Sequence, residues 1–216
     1  MPLLGTATNN PAEPSIEGTM EPSKTKTVEI RRIPSNSGAE VIKHITKLIN
    51  DVYLAAESDL WVHSSWQRTT ETDMAKLVAS SQLVGAYVNG HLVGCARTEK
   101  LGKEEEGFGM LAVEDSQRGT SLGRDLVQFV EQESRQKGFK RMQLEILTPK
   151  GWHHPSKEFL KAWYGRLGYE KTRVGSIEEA SPGFSKLLAT PCDLVVYEKA
   201  LWGGKVCSCC RNLMLQ

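Results

Sequence analysis

The chain has 216 residues, 39% hydrophobic and 25% charged, with a formal net charge of +1. That length suits one domain of about 100 to 200 residues with tails, and so small a net charge excludes a general field for nucleic acid or membrane surfaces. No run approaches the roughly 18 consecutive apolar residues of a membrane span, the N-terminus lacks a basic stretch followed by an apolar one, and five cysteines, an odd number, suit reduced thiols in a cytoplasmic or nucleocytoplasmic protein.

Residues 1–26 hold Pro2, Pro11, Pro14 and Pro22 among polar neighbours, the composition of a disordered tail. Val28, Ile30 and Ile33 then alternate with polar residues as a first strand ended by Pro34. From Gly38 to about Ala56, Val41, Ile42, Ile45, Leu48, Ile49, Val52 and Tyr53 trace one helical face. Glu57 closes that helix, where a carboxylate opposes the helix dipole, so it is either solvated or kept for a task. Trp61, Trp66 and Arg68 follow, and a second helix is expected from about Thr70 to Ser80.

Leu83 to Val88 and Leu92 to Ala96 flank Asn89-Gly90, the turn pair whose positive φ angles specify a hairpin. The polar run Lys100 to Glu106 reads as a solvated turn, its three glutamates on the surface. Phe108, Met110, Leu111 and Val113 form a fourth strand, after which a turn carrying Arg118, Gly119 and Gly123 enters a helix at about Ser121. Leu122, Leu126, Phe129 and Val130 give that helix its apolar face, and Gly138 ends it. Glycines bare the backbone N–H groups at this turn, and the helix adds the positive end of its dipole, which together suit a phosphate. Neither a P-loop nor a dinucleotide Gly-x-Gly-x-x-Gly pattern is present.

Met142, Leu144 and Ile146 mark a fifth strand, parallel to the fourth because a helix joins them. A loop with His153 and His154 leads to a helix striped by Phe159, Leu160, Trp163, Tyr164 and Leu167, ended by Gly168. A sixth strand near Tyr169 to Val174 and a last one from Leu194 to Tyr197 complete the pattern. In the tail 201–216, Cys207, Cys209 and Cys210 are too closely spaced to supply a tetrahedral zinc site, so no metal is expected; free thiols and reversible palmitoylation are both open readings.

Arg118-Gly119-Thr120-Ser121-Leu122-Gly123 resembles the Gln/Arg-x-x-Gly-x-Gly/Ala signature of the GNAT superfamily of acetyl-CoA-dependent N-acetyltransferases, with Ser121 at the first signature glycine. Trp163-Tyr164-Gly165-Arg166-Leu167-Gly168-Tyr169 resembles the family's aromatic-Tyr-x-x-x-Gly-Phe/Tyr segment. The resemblance covers residues 27–200. It implies a mixed α/β fold: a largely antiparallel seven-stranded sheet with a central parallel pair and flanking helices.

The resemblance also implies site roles. Acetyl-CoA would be the co-substrate, its pantetheine arm paired with the backbone of Leu111, Ala112 and Val113 and its pyrophosphate held by Arg118, Gly119, Thr120, Ser121, Leu122 and Gly123. Tyr164 would lie near the sulfur as general acid, since a phenol of ordinary pKa about 10 is protonated at neutral pH. The segment between the first two helices would line the acceptor pocket, giving Glu57, Trp61, Trp66 and Arg68, with Arg68 able to meet a carboxylate. For the base, Glu57, Glu145, Glu114 and His154 are candidates, and Glu57 and Glu145 are favoured. The acceptor is expected to be a primary amine on a small molecule or amino acid. A peptide acceptor, a CoA-binding module without catalysis, and a homodimer are left open.

Overall fold

A computed structural model describes residues 26–62, 66–180 and 183–202. The expected N-terminal tail up to residue 25, and residues 203–216 with Cys207, Cys209 and Cys210, lie outside the described residues. Strand β1 (Val28–Arg32) pairs antiparallel with β2 (Leu83–Val88), and β2 turns through Asn89, φ 50°, and Gly90, φ 81°, into β3 (His91–Lys100). Both turn residues adopt the left-handed conformation that the Asn-Gly pair predicts.

Strand β4 (Glu105–Val113) pairs antiparallel with β3 and parallel with β5 (Arg141–Pro149). The last strand, β7 (Cys192–Ala200), runs antiparallel between β5 and β6 (Glu170–Ser176), so the sheet order is β1-β2-β3-β4-β5-β7-β6. This is the seven-stranded, largely antiparallel sheet with one central parallel pair. Both β3 and β4 are longer than their apolar cores, because Lys100 pairs with Glu106 across a tight connection. Glu106 is therefore no surface residue: it is 4% exposed and accepts from the Ser134 hydroxyl and from Lys137 Nζ, the latter at 3.3 Å.

Helices α1 (Ala39–Glu57) and α2 (Glu71–Ala79) cover one face of the sheet. Ile45, Leu48, Ile49, Met74 and Val78 pack there on Leu83, Cys95 and Ala112. Thr70 caps α2 by accepting the Asp73 N–H at 3.1 Å, as a threonine before a helix does. The other face is covered by α3 (Leu122–Gln136), whose Leu126, Val127 and Val130 join Val84, Ala96, Phe108 and Met142 in the larger core. Helix α4 (Pro155–Arg166) starts with proline at its first position, where the missing N–H costs nothing, and it adds Tyr164 to this core. A short α5 (Ile177–Ala180) follows β6.

A buried carboxylate ties these parts together. Glu131 of α3 accepts from the Tyr169 hydroxyl at 2.9 Å, from Lys199 of β7 at 2.8 Å and from Arg135 at 3.2 Å. Leu201 and Trp202 also pack on the domain: the Leu201 N–H reaches Lys140 O at 2.8 Å, and Trp202 Nε1 donates to Phe139 O at 2.7 Å. Among the described residues no helix is long and apolar enough to cross a membrane. Leu126 is fully buried where α3 meets the sheet, so Leu126→Ala should destabilise the protein by about 3 kcal/mol, read as a lower urea midpoint with unchanged slope.

Candidate active site

The parallel strands β4 and β5 stay together only at Glu105↔Arg141, Glu106↔Met142 and Gly107↔Gln143. Beyond Gly107, β4 keeps β3 as its partner but has no ladder to β5. The divergence coincides with a bulge: Cys95 faces Ala112 and Arg97 faces Gly109, so Met110 and Leu111 together oppose Ala96. Met110 takes φ 48° to make the extra residue fit, and such a bulge bends and twists its strand. Between the separated strands lies a cavity of about 900 Å³, lined on its strand walls by Gly109, Met110, Leu111, Val113, Glu145 and Ile146. Ala112, pointing the other way, is buried under α1.

On one side the cavity runs to the turn before α3. Gly119 has φ 77°, a left-handed conformation that glycine adopts without steric cost. The first hydrogen bond of the helix is Asp125 N–H to Ser121 O at 2.9 Å, so the N–H groups of Gly119, Ser121, Gly123 and Arg124 carry no backbone partner among the described residues. Ser121 turns its hydroxyl onto Asp125 Oδ2 at 2.6 Å, while Thr120 Oγ1 accepts the Leu122 N–H at 3.3 Å. Serine at the signature glycine therefore keeps its N–H available.

Gly119, Thr120, Ser121, Gly123, Arg124 and Trp163 enclose a shallow hollow of about 280 Å³. A side chain at Gly119 would meet nothing within 4 Å, and the Cβ of one at Gly123 would touch only Trp163 and Val113 at ordinary contact distance. The arrangement is open backbone donors at the positive end of a helix, with Arg118 and Arg124 beside them, and it fits a pyrophosphate. Leu122 and Thr120 contribute differently from their neighbours: the Leu122 side chain is core and its N–H is taken, and the Thr120 N–H and hydroxyl both donate to Gln117 O, at 3.3 and 2.7 Å. Arg124 lies outside the sequence motif, and a basic residue at the third helical position carries no periodic signal.

The opposite side of the cavity is walled by α1, by α4 and by two loops. The Glu57 carboxylate accepts from Lys157 Nζ, and both are buried, at 7% and 2% exposure. The carboxylate that opposes the dipole at the C-terminus of α1 is thus one half of a buried ion pair. Lys157, Leu160 and Tyr164 share one face of α4 at helical spacing, so a cation within an apolar stripe was the available signal for Lys157. His154 lies just behind: Nε2 is 2.9 Å from Asp59 Oδ1 and Nδ1 is 3.1 Å from Ser156 Oγ, which donates to Ala56 O at 2.9 Å. It ties the turn after α1 to the start of α4, with Ser156 reaching α1 itself, and does not line the cavity. Glu114 is also away from it, accepting from Ser116 Oγ at 3.2 Å.

Trp61 lines the cavity, whereas Trp66 stacks on its outer face with ring centroids 3.8 Å apart. The loop after α1 is held to the loop before β7 by Val62 N–H to Leu187 O at 2.9 Å and Ala189 N–H to Leu60 O at 2.9 Å, and Phe184 meets Trp61 edge-on. These two loops roof the cavity. Arg68 lies over the Tyr53 ring at 5.4 Å. Burial pushes the Tyr53 phenol up to about 12, against the lowering charge of Arg68. Burial, and then the neighbouring Tyr53, push the Tyr164 phenol well above the ordinary tyrosine value. Burial likewise raises the Glu145 carboxyl, with Arg173 and Arg68 opposing and Glu99 adding to the rise. Among the described residues no group of three or more His, Cys, Asp or Glu side chains could hold a metal ion.

The site thus combines a split parallel pair with a bulged strand, an open anion cradle on one side and a roofed charged compartment on the other. Residues 43–165, more than half of the chain, match the Acetyltransferase (GNAT) family, and the chain belongs to that family. No curated protein matches it in sequence. Solved structures share the fold. An N-acetyltransferase from Staphylococcus aureus Mu50 is 17% identical, with a TM-score of 0.61 over 82% of this chain and 99% of that one. The PaiA N-acetyltransferase from Thermoplasma acidophilum, in complex with coenzyme A, is 14% identical, with a TM-score of 0.60 over 81% and 99%. YncA, a putative acetyltransferase from Salmonella typhimurium with acetyl-CoA, is 16% identical, with a TM-score of 0.58 over 85% and 99%.

The buried pair gives a stability test. Lys157→Met strands the Glu57 carboxylate and should cost about 3 kcal/mol in urea unfolding, most of it recovered when Glu57→Gln is added. A double variant no more stable than Lys157→Met would show that the two side chains act independently.

Proposed function

We propose that the protein moves the acetyl group of acetyl-CoA to a primary amine of a small molecule or amino acid by direct attack. The observation that carries this reading is that the open N–H hollow of α3 adjoins the cavity, sharing Gly119 and Trp163 with its lining, while the far end of the same cavity is the charged compartment beneath the roof. The roof favours a small acceptor over a peptide, which would need an open groove.

Acetyl-CoA supplies the acetyl group as a thioester, whose C–S bond breaks as the C–N bond to the amine forms. The open edge of β4 around Leu111 to Val113 offers backbone N–H donors to the developing oxyanion, an interaction worth several kcal/mol in a water-poor site. Glu145 takes the proton that the amine must lose, and its raised pKa brings it closer to neutrality, where a base works best. Glu57, engaged by Lys157, is the weaker candidate for that role and contributes a fixed charge to the wall. Burial keeps Tyr164 protonated and makes it a weaker acid, but the same dry setting raises the proton affinity of the departing thiolate, so Tyr164 gives its proton as the C–S bond breaks, and the protein's own protons balance once Glu145 returns one to solvent and Tyr164 is reprotonated. Arg118, Gly119, Thr120, Ser121, Gly123 and Arg124 hold the pyrophosphate.

The reading is tested by calorimetric titration of acetyl-CoA, followed by a thiol-release screen over an amine library. Binding with turnover is expected; binding without turnover of any amine would leave a CoA-binding module, and no binding would overturn the cradle. Gly123→Glu, whose new carboxylate enters the anion hollow, should weaken acetyl-CoA binding at least roughly tenfold, and equal affinity would contradict the pyrophosphate assignment. Tyr164→Phe should lower kcat by about 10²-fold with acetyl-CoA affinity nearly retained. Unchanged turnover would remove Tyr164 as the acid.

A further inference from the structure

Seven ionisable side chains other than tyrosines line the cavity, and most are matched. Glu57 is paired with Lys157, Glu99 with Arg97, and Arg118 with Asp115. Arg68 and Glu145 are left without an ion-pair partner among the described residues, one cation and one anion. Glu145 feels the charges of Arg173, Glu99 and Arg68, in that order, yet no ion pair joins it to either arginine. Glu145 sits on β5 two residues beyond Gln143, where the strands part, and Arg68 enters from the loop between α1 and α2.

The hydrogen-bond inventory points the same way. Among the described residues, the buried side-chain nitrogens and oxygens lacking a partner are Trp61 Nε1 and Arg68 Nε. Both are donors, both belong to cavity-lining residues and both stand on the roof side. Buried donors without acceptors are rare in folded proteins, and two on residues at one end of one cavity leave that wall short of an acceptor group. A carboxylate supplies two acceptor oxygens and the charge that Arg68 lacks, and the planar guanidinium suits it.

We propose that the acceptor is a zwitterionic amine, an amino acid or close analogue, whose carboxylate is received by the Arg68 guanidinium and the Trp61 indole N–H while its amino group lies against Glu145. This rests on the acetyltransferase reading above and specifies its acceptor. A simple alkylamine leaves Arg68 and both donors unmatched, and a polyamine sets a second cation against Arg68. The amino group at Glu145 stands where β4 and β5 separate, next to the open edge of β4. The side chain of the amino acid faces the apolar surface of Phe184 and Ile177.

The test is thiol release from acetyl-CoA with matched acceptors: the common amino acids, their carboxamides, the corresponding decarboxylated amines, and spermidine. Amino acids should exceed their carboxamides by on the order of 100-fold in kcat/KM, chiefly through KM. Arg68→Met should collapse that ratio towards one, Arg68→Lys should restore part of it, and Trp61→Phe, which keeps an aromatic ring but removes the N–H, should reduce it partially. Retained acetyl-CoA binding by calorimetry identifies variants that are folded. Carboxamides or spermidine used as well as amino acids, or a ratio untouched by Arg68→Met in a folded variant, would overturn the zwitterion assignment while leaving the acetyltransferase reading intact. Binding of acetyl-CoA without turnover of any acceptor would overturn both.

Discussion

The candidate site depends on two parallel strands that part company. A parallel pair gains its hydrogen bonds residue by residue, and β4 and β5 give them up beyond Gly107 and Gln143. The sheet tolerates the loss because β4 remains paired with β3 on either side of the bulge, and β5 with β7 along its whole length, on their other edges. The bulge at Met110 supplies the bend. Its left-handed backbone, in a residue that is not glycine, is a local strain that the surrounding ladder and core hold in place. Released backbone donors and acceptors along the inner edges are then available to a ligand, which is why the cavity forms here and not on a sheet face.

Two buried charge arrangements hold the walls of that cavity. Glu131 gathers Tyr169, Lys199 and Arg135, which joins α3, the end of α4 and β7. Tyr164 is carried on the same short stretch, its ring edge-on to both Phe108 and Tyr169. On the other wall, Glu57 and Lys157 join the end of α1 to the start of α4, with His154 and Ser156 tying the same two helices alongside. Ion pairs at such depth cost desolvation and rarely add net stability over apolar packing. Their use here is to set where α4 lies relative to α1, and hence the width of the compartment between Tyr53 and Tyr164.

Many of the elements were readable from local rules. The Asn89-Gly90 turn, the amphipathic face of α1, the glycine that ends α3 and the stripe of α4 each follow from backbone preference or from periodicity, which act over a few residues. The turn from Arg118 to Gly123 was readable for the same reason: its glycines and its helix start are local. Residues whose partners are distant in sequence were not. Glu106 looked like part of a solvated run until Ser134 and Lys137, contributed by α3, enclosed it. Lys157 and Tyr53 read as ordinary helical positions, and Glu57 could be seen as out of place without any sign of what compensated it.

The amino-acid sequence by itself determined the strand and helix content, the hairpin, the parallel step from β4 to β5 and the chemistry of the anion turn, because each is decided by neighbours along the chain. Tertiary structure alone decided the insertion of β7 between β5 and β6, the parting of the central strands, and the pairing of Glu57 with Lys157. It also decided which charges in the cavity remain unmatched. Those outcomes depend on which hydrogen-bonding edges and buried charges meet when elements up to 100 residues apart pack together, and no local preference carries that information.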